Sequence, residues 1–326
     1  MMRKVLAVWA CVLAVHAVAP LGSARGEQDE KVALRYTFEK GQKLSVSIKY
    51  GVNVKVEKIP EAFQGLMGEN PVDLKVEGLL ESEVKEVAED GKAALEGKWR
   101  TLKVKGAMML NEVDFSYDSE KGLGPRAPKK EGAEGDLPAF GNMEDTLRTM
   151  VTETVRLSVE PSGRLRMRSG GAPGAGDMAE QFLSLNGLMG PFPKDPIGKG
   201  DSWKGDEKIS MPGVGGAMGI AIKSENKYEA DETVDDRPCA VLRSKFSVGG
   251  EGGDKKDDAD NPLPVRFKTS GEGEAKTWFC VRQGMVARHK SNLNVNLTVG
   301  FPDPGGGGDL EIKSVLKIDQ GHEVKR

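Results

Sequence analysis

The chain has very few of the residues that catalytic and metal sites most often use. It contains three histidines, three cysteines and 6% aromatic residues in 326 positions. No HExxH or CxxC spacing occurs, and no G-x-S-x-G nucleophile motif accompanies a histidine. The sequence therefore offers no catalytic, cofactor-binding or metal-binding residues, and we expect a non-catalytic protein without a cofactor. A hydrolase that works with two carboxylates stays an alternative, because such pairs are identified by geometry.

Two histidines lie outside the N-terminal region. His289 falls in a predicted strand and is the one reasonable candidate for a catalytic histidine, whereas His322 lies near the C-terminus, which we expect to be frayed. The acidic segment Asp254–Asn261 lacks the oxygen-ligand spacing of a calcium loop, so it is expected to be a solvated loop. The glycine cluster Gly213–Gly219 lacks the spacing of a phosphate-binding loop.

Long apolar runs are absent except at the N-terminus. Arg3 and Lys4 precede the apolar run 5–19, and small residues follow it, which is typical of a secretory signal peptide over residues 1–26. A membrane anchor is the alternative, but the run is shorter than the about 20 residues that a span needs. We therefore predict export to the periplasm or the extracellular space, with no membrane span. The net charge of −3 argues against a nucleic-acid partner, which calls for a basic surface.

Only two cysteines lie beyond the predicted signal peptide. Cys239 and Cys280 are about 40 residues apart, and in an exported chain they permit one disulfide. Closing such a loop would stabilise the fold by about 3–4 kcal/mol. Both cysteines fall in predicted strands, so two unpaired buried thiols remain the alternative.

Alternation of apolar and polar residues is the strongest pattern in the chain. Seven apolar residues occupy every second position from Leu44 to Val56, and shorter stretches with the same period follow to the C-terminus. This predicts a mainly β (α+β) fold with a large curved antiparallel sheet or half-barrels. Residues 27–326 are predicted to form one exported β-rich domain. A weak similarity between 80–99 and 222–246 suggests two related halves, 27–140 and 141–326.

Three segments add detail to this sheet. Met143, Leu147 and Met150 have helical spacing, as do the apolar residues of 178–189, so two short helices are expected to fill the concave face. Leu34–Phe38 also alternates and precedes a turn at Lys40–Gln42. We therefore expect it to form a hairpin with the strand that follows.

Three short motifs resemble those of exported bacterial β-rich proteins of unknown function. A proline is followed by I-G-K-G-D-S-W at 197–203, an L-x-Y-x-F-x-x-G pattern stands at 34–41, and E-P-S-G-R-L stands at 160–165. The resemblance implies an envelope or secreted location and brings no catalytic residues. We interpret Gly200–Asp201 as a turn and Trp203 as a buried anchor. The expected shape is similar to the half-barrels of periplasmic lipoprotein carriers.

Two functional hypotheses follow. The first is a binding protein that holds a hydrophobic ligand or lipid in its concave sheet, which requires a sizeable cavity with few polar atoms. The alternative is a structural or interaction protein of the bacterial cell envelope, whose core is filled and whose sheet edge or apolar patch meets a protein partner.

Overall fold

Strands dominate the protein, as the alternation predicts. The computed structural model describes residues 31–60, 72–108, 113–123, 147–149, 151–169, 192–213, 216–253, 266–302 and 309–325. In chain order the strands are β1 (Lys43–Lys58), β2 (Val72–Val87), β3 (Ala93–Met108), β4 (Val113–Asp118), β5 (Gly122–Leu123), β6 (Val155–Val159), β7 (Leu165–Ser169), β8 (Ser202–Gly213), β9 (Gly216–Val234), β10 (Arg237–Gly253), β11 (Arg266–Cys280), β12 (Met285–Pro302) and β13 (Asp309–Lys325).

All of these strands belong to one antiparallel sheet, which confirms the predicted fold class. Its order is β5-β4-β3-β2-β1-β13-β12-β11-β10-β9-β8, and the β6–β7 hairpin branches from β3. The first and last long strands are neighbours, with Ser45 opposite Lys325 and Val56 opposite Ser314. Within the described residues β5 and β8 do not pair with each other, so the sheet is open.

One face of the sheet, called the inner face here, carries the main core. Side chains of successive strand residues point to opposite faces, so the alternating apolar residues of β1, β2 and β13 all lie on one side. The buried members of this core are Ile48, Tyr50, Val76, Leu80, Trp99, Leu102, Val104, Tyr117, Leu147, Val155, Ile222, Phe246, Val248, Ala275, Leu293, Val295 and Ile318. Because it draws on both ends of the strand order, the inner face is the concave one.

A bulge in β3 keeps its apolar residues on the inner face. Leu80 pairs with Trp99 and Leu79 with Thr101, so Arg100 has no partner in β2. The inserted residue shifts the alternation by one position, from Trp99 to Leu102. Gly78 makes room for the indole, since a Cβ there would lie 2.5 Å from the ring of Trp99.

Residues 32–38 form a strap across one end of the sheet, and the predicted hairpin with β1 is therefore wrong. Val32 pairs with Ile197, and the amide of Tyr36 donates to the carbonyl of Pro161 at 2.9 Å. The amide of Thr37 donates to the carbonyl of Gly284, also at 2.9 Å. These long-range bonds take the backbone groups that a local hairpin would have used.

Only part of the predicted helical structure lies within the described residues. Residues 147–149 and 151–152 are helical, and Leu147 is buried in the main core. The second predicted helix, 178–189, lies outside the described residues, as do the signal peptide and the acidic segment Asp254–Asn261. No helix of the described part of the chain is long and apolar enough to cross a membrane.

The predicted disulfide joins Cys239 of β10 to Cys280 of β11. Around it lies a second buried cluster on the outer face, called the disulfide corner here. Its members are Val234, Cys239, Val241, Trp278, Cys280 and Ala287. At this end the sheet is therefore buried on both faces.

Candidate functional site

A small cavity lies between the inner face of the sheet and the elements that cover one end of it. The strap and the β6–β7 hairpin form its cover, and β1, β2, β3, β12 and β13 form its floor. Its volume is about 150 Å³. The lining residues are Tyr36, Phe38, Leu44, Val46, Leu80, Ser82, Leu95, Leu157, Val159, Gly163, Leu165, Met285, Val286, His289, His322 and Val324.

The lining is apolar apart from a few uncharged polar groups. Among the described residues the lining contains no lysine, arginine, aspartate or glutamate, and its polar side chains are Tyr36, Ser82 and the two histidines. A charged group placed in such a site would lose its hydration without gaining a partner. The cavity is therefore suited to an uncharged molecule.

The two histidines form a stacked pair at the wall of the cavity. His289 in β12 and His322 in β13 are cross-strand partners, and their ring centroids are 5.0 Å apart with 16° between the planes. His289 is 2% exposed. On its other side it pairs with Thr277 of β11, whose hydroxyl lies 2.7 Å from Nδ1 of the ring. That hydrogen bond fixes the orientation of the ring.

Burial keeps both imidazoles uncharged at neutral pH. It lowers the pKa of His289 to about 4, because the imidazolium ion would be removed from water. Burial also holds the pKa of His322 well below its ordinary value, and the neighbouring His289 lowers it further. Each ring then carries one N–H donor and one acceptor nitrogen.

Each ring also has one nitrogen without a hydrogen bond. Nε2 of His289 and Nδ1 of His322 are buried, and neither has a hydrogen-bond partner within the described residues. Buried polar atoms of native proteins are paired in the large majority of cases. These two nitrogens are exceptions, as are Oδ1 of Asn226 and Oγ of Ser244 on the same face, within the described residues.

The histidines adjoin a row of buried polar residues on the inner face. Asn226 of β9 pairs with Ser244 of β10, and Ser291 of β12 pairs with Gln320 of β13. All four are buried, and the amide of Asn226 donates to Ser224 at 3.0 Å. The concave face is therefore less apolar than the carrier hypothesis requires.

An aromatic cluster holds the strap over the cavity. The ring of Tyr36 stacks on Phe38 and on Phe192, with centroids 5.9 and 5.7 Å apart, and Phe192 packs edge-on against Phe279 at 4.9 Å. Burial raises the pKa of the Tyr36 hydroxyl. Gly163 allows this approach, since a Cβ there would lie 3.1 Å from the ring of Tyr36.

A larger groove of about 550 Å³ has a different character. It is open and includes charged side chains of β1, β2 and β3. Glu83 pairs with Lys85 at 3.0 Å and Glu81 with Arg100 at 3.2 Å, and these side chains are 40–68% exposed. Exposed charges that pair with each other make a solvated surface, so we take the smaller, less open cavity as the candidate site.

The sequence identified one of the two histidines and missed the other. His289 lies in a strand, as predicted, but the expectation that His322 would lie in a frayed terminus is wrong because β13 continues to Lys325. The period-2 series Leu316, Ile318, Gln320 and His322 was the signal that places His322 on the inner face. Trp203 packs against the core but is half-buried, and Asp201 accepts a 2.8 Å hydrogen bond from the Gly198 amide in the predicted turn.

Metal-binding geometry is absent from the described part of the chain: no group of three or more His, Cys, Asp or Glu residues is placed to hold an ion there.

Comparisons with known proteins assign no relative. No protein family matches the chain, and no curated protein matches it. Among solved structures it is similar to in-vitro-folded OmpT, an outer membrane protein of Vibrio cholerae, with 10% identity, 90% of this chain and 100% of that chain covered, and a TM-score of 0.18. The trimer form of OmpT gives 10% identity, 88% and 100% coverage, and a TM-score of 0.15. Such low TM-scores carry no argument about fold or function.

Proposed function

We propose that this protein is an exported, non-catalytic binding protein that holds a small hydrophobic molecule in the cavity beneath the strap. The mainly apolar lining, which has no charged side chain among the described residues, is the observation that supports it. Burying apolar surface of a ligand there contributes favourable free energy of about 25 cal/mol per Å².

The volume of the cavity limits the ligand. A cavity of about 150 Å³ has room for a molecule the size of benzene, whereas pockets for larger ligands are about 300–1,000 Å³. The hydrophobic ligand or lipid expected from the sequence must therefore be small, such as a single ring or a short aliphatic group.

Titration of the purified chain with toluene tests the proposal. Binding measured by amide NMR should be saturable, and the shifted amides should cluster on the strap, on the β6–β7 hairpin and around His289 and His322. The variant Leu157→Phe should weaken binding at least tenfold, because the larger ring occupies space at the cavity wall.

Leu316→Phe is the matched control. Leu316 is half-buried like Leu157 and packs against the main core, but it does not line the cavity. This variant should bind toluene like the wild type. Absence of saturable binding to the wild type, or equal weakening in both variants, would refute the proposal.

A protein partner at the sheet edge is the second candidate function. β8 is the last strand in the sheet order and pairs only with β9 within the described residues, so its other edge offers backbone donors and acceptors. An added strand from a partner would use these groups. In that case partner binding would protect the β8 amides from hydrogen exchange and leave toluene binding unchanged.

A further inference from the structure

The stacked pair of His289 and His322 indicates which chemical class of ligand the cavity would take. We propose that its ligand is a small uncharged molecule that carries a hydroxyl or similar hydrogen-bonding group, and that the imidazoles of His289 and His322 recognise this group. The inference rests on the proposed function, because it concerns the ligand of the same cavity.

Two unpaired nitrogens of the histidine rings cost the folded protein free energy. Nε2 of His289 and Nδ1 of His322 are buried without a hydrogen bond within the described residues. A buried polar atom without a partner costs about 1–3 kcal/mol, and a ligand group that pairs with it recovers that cost on binding.

The positions of the two imidazole rings also support recognition of a polar group. Both rings line the cavity, and they sit in directly paired positions of the two central strands, so they face one end of any bound molecule together. The remaining lining on the cover and on β1 to β3 is almost entirely apolar. The paired histidines therefore form a polar part of the wall, with Tyr36 and Ser82 as the other polar lining side chains. Such a lining matches an apolar ring that carries a polar substituent.

The chemistry of the lining does not suit an anionic ligand. No cationic side chain occurs among the lining residues that the structure describes, and burial favours the uncharged form of both histidines. A carboxylate would have to lose its hydration without a counter-charge, which is unfavourable. A neutral hydroxyl can both donate and accept, so it suits either tautomer of the imidazoles.

Toluene, phenol and benzoate form a matched set of probes at pH 7.5. Toluene and phenol differ by one methyl-to-hydroxyl exchange, and phenol is uncharged at this pH since a phenolic hydroxyl has a pKa of about 10. We expect wild-type protein to bind phenol despite the hydration that its hydroxyl loses, and to bind benzoate at least tenfold more weakly than phenol.

The variants His289→Leu and His322→Leu isolate the role of the imidazoles. At least one of them should lower the ratio of phenol affinity to toluene affinity about tenfold, the effect of losing one buried hydrogen bond. An unchanged phenol-to-toluene ratio in both variants would overturn the inference and leave the proposed function standing. Failure of every probe to bind the wild type would overturn both.

A spectroscopic test on the wild type covers the case in which a variant does not fold. The chain has only three histidines, so selective ¹⁵N-histidine labelling gives a simple imidazole spectrum. Phenol should shift the ring nitrogen signals of His289 or His322 far more than saturating toluene does. Equal shifts with both probes would contradict recognition of the hydroxyl.

Discussion

The disulfide corner and the histidine cavity lie on opposite faces of the same strands but treat polar groups differently. Trp278 belongs to the corner, and its neighbour Thr277 holds the ring of His289 on the inner face. In the corner, Nε1 of Trp278 donates to Glu232 at 2.6 Å, and Lys276 donates to the same carboxylate at 2.8 Å. These polar groups are satisfied, whereas two buried nitrogens at the cavity have no hydrogen-bond partner within the described residues.

A bulge separates the two regions. Trp278 pairs with Arg288 and Phe279 with Val286, so Ala287 has no partner in β11. The extra residue places Ala287 in the disulfide corner and leaves Val286 and His289 on the inner face. We infer that the corner provides stability, while the cavity gives up some stability for binding. Three predictions test this difference.

Removing the disulfide should give the largest loss of stability at neutral pH. The double variant Cys239→Ala/Cys280→Ala should lower the free energy of unfolding by about 3–4 kcal/mol, because the unfolded chain loses a cross-link over 41 residues. Urea denaturation measures this change. Toluene affinity should stay within about twofold in conditions where the variant is folded. A large loss of affinity would show that the two regions are not independent.

Acidification should destabilise the protein through the cavity by a similar amount. The pKa of His289 is about 4 in the folded state and about 6.5 when unfolded, so the unfolded state binds more protons between these values. The contribution of His289 to the free energy of unfolding should therefore be fully present above pH 6.5 and should fall by about 3 kcal/mol as the pH drops to 4. Protonation of His322 should cause a further loss.

Urea denaturation of wild type and of His289→Leu/His322→Leu at several pH values isolates this contribution. The variant contains the same carboxylates, so the difference between the two proteins reports the histidines. A difference that does not change between pH 7 and pH 4 would show that the imidazoles are not buried in the folded state.

Loosening the strap should give the smallest effect on stability and a clear one on binding. Gly284 has φ of +58°, and a Cβ there would overlap the Thr37 side chain, so Gly284→Ala combines backbone strain with a clash. We expect a loss of about 2 kcal/mol in the free energy of unfolding and weaker toluene binding, because the strap covers the cavity.

Gly41→Ala is the matched control for this change. Gly41 has φ of +83°, and a Cβ there would meet nothing within 4 Å, so the substitution adds strain alone. Its loss should be about 1 kcal/mol, with unchanged toluene affinity. Equal effects of the two substitutions on binding would mean that the strap does not hold the cavity closed.

Local patterns account for what the sequence could predict. Alternation from Leu44 to Val56 identifies β1 and its buried face, and the spacing of Cys239 and Cys280 permits the disulfide. The path of the strap depends instead on hydrogen bonds to Pro161 and Gly284, far along the chain. A local pattern such as Leu34–Phe38 contains no information about such distant partners, and it therefore suggested a hairpin.

The cavity could not be predicted from the sequence either, because it also depends on contacts between residues that are far apart in the chain. It arises where the β6–β7 hairpin and the strap meet the strands β12 and β13, so its residues are up to 288 positions apart, from Tyr36 to Val324. The pairing of His289 with His322 depends on the register between β12 and β13. Register is a tertiary property, and neither histidine had a motif that marked it.

A crystal structure under xenon pressure tests the central claim most directly. Xenon enters dry apolar cavities of this size and scatters strongly, so it reports both the space and its chemistry. Our account predicts a xenon site between Leu157 of the cover and the rings of His289 and His322. A cavity without xenon and filled by side chains would contradict the assignment of this site as one that binds a small hydrophobic ligand.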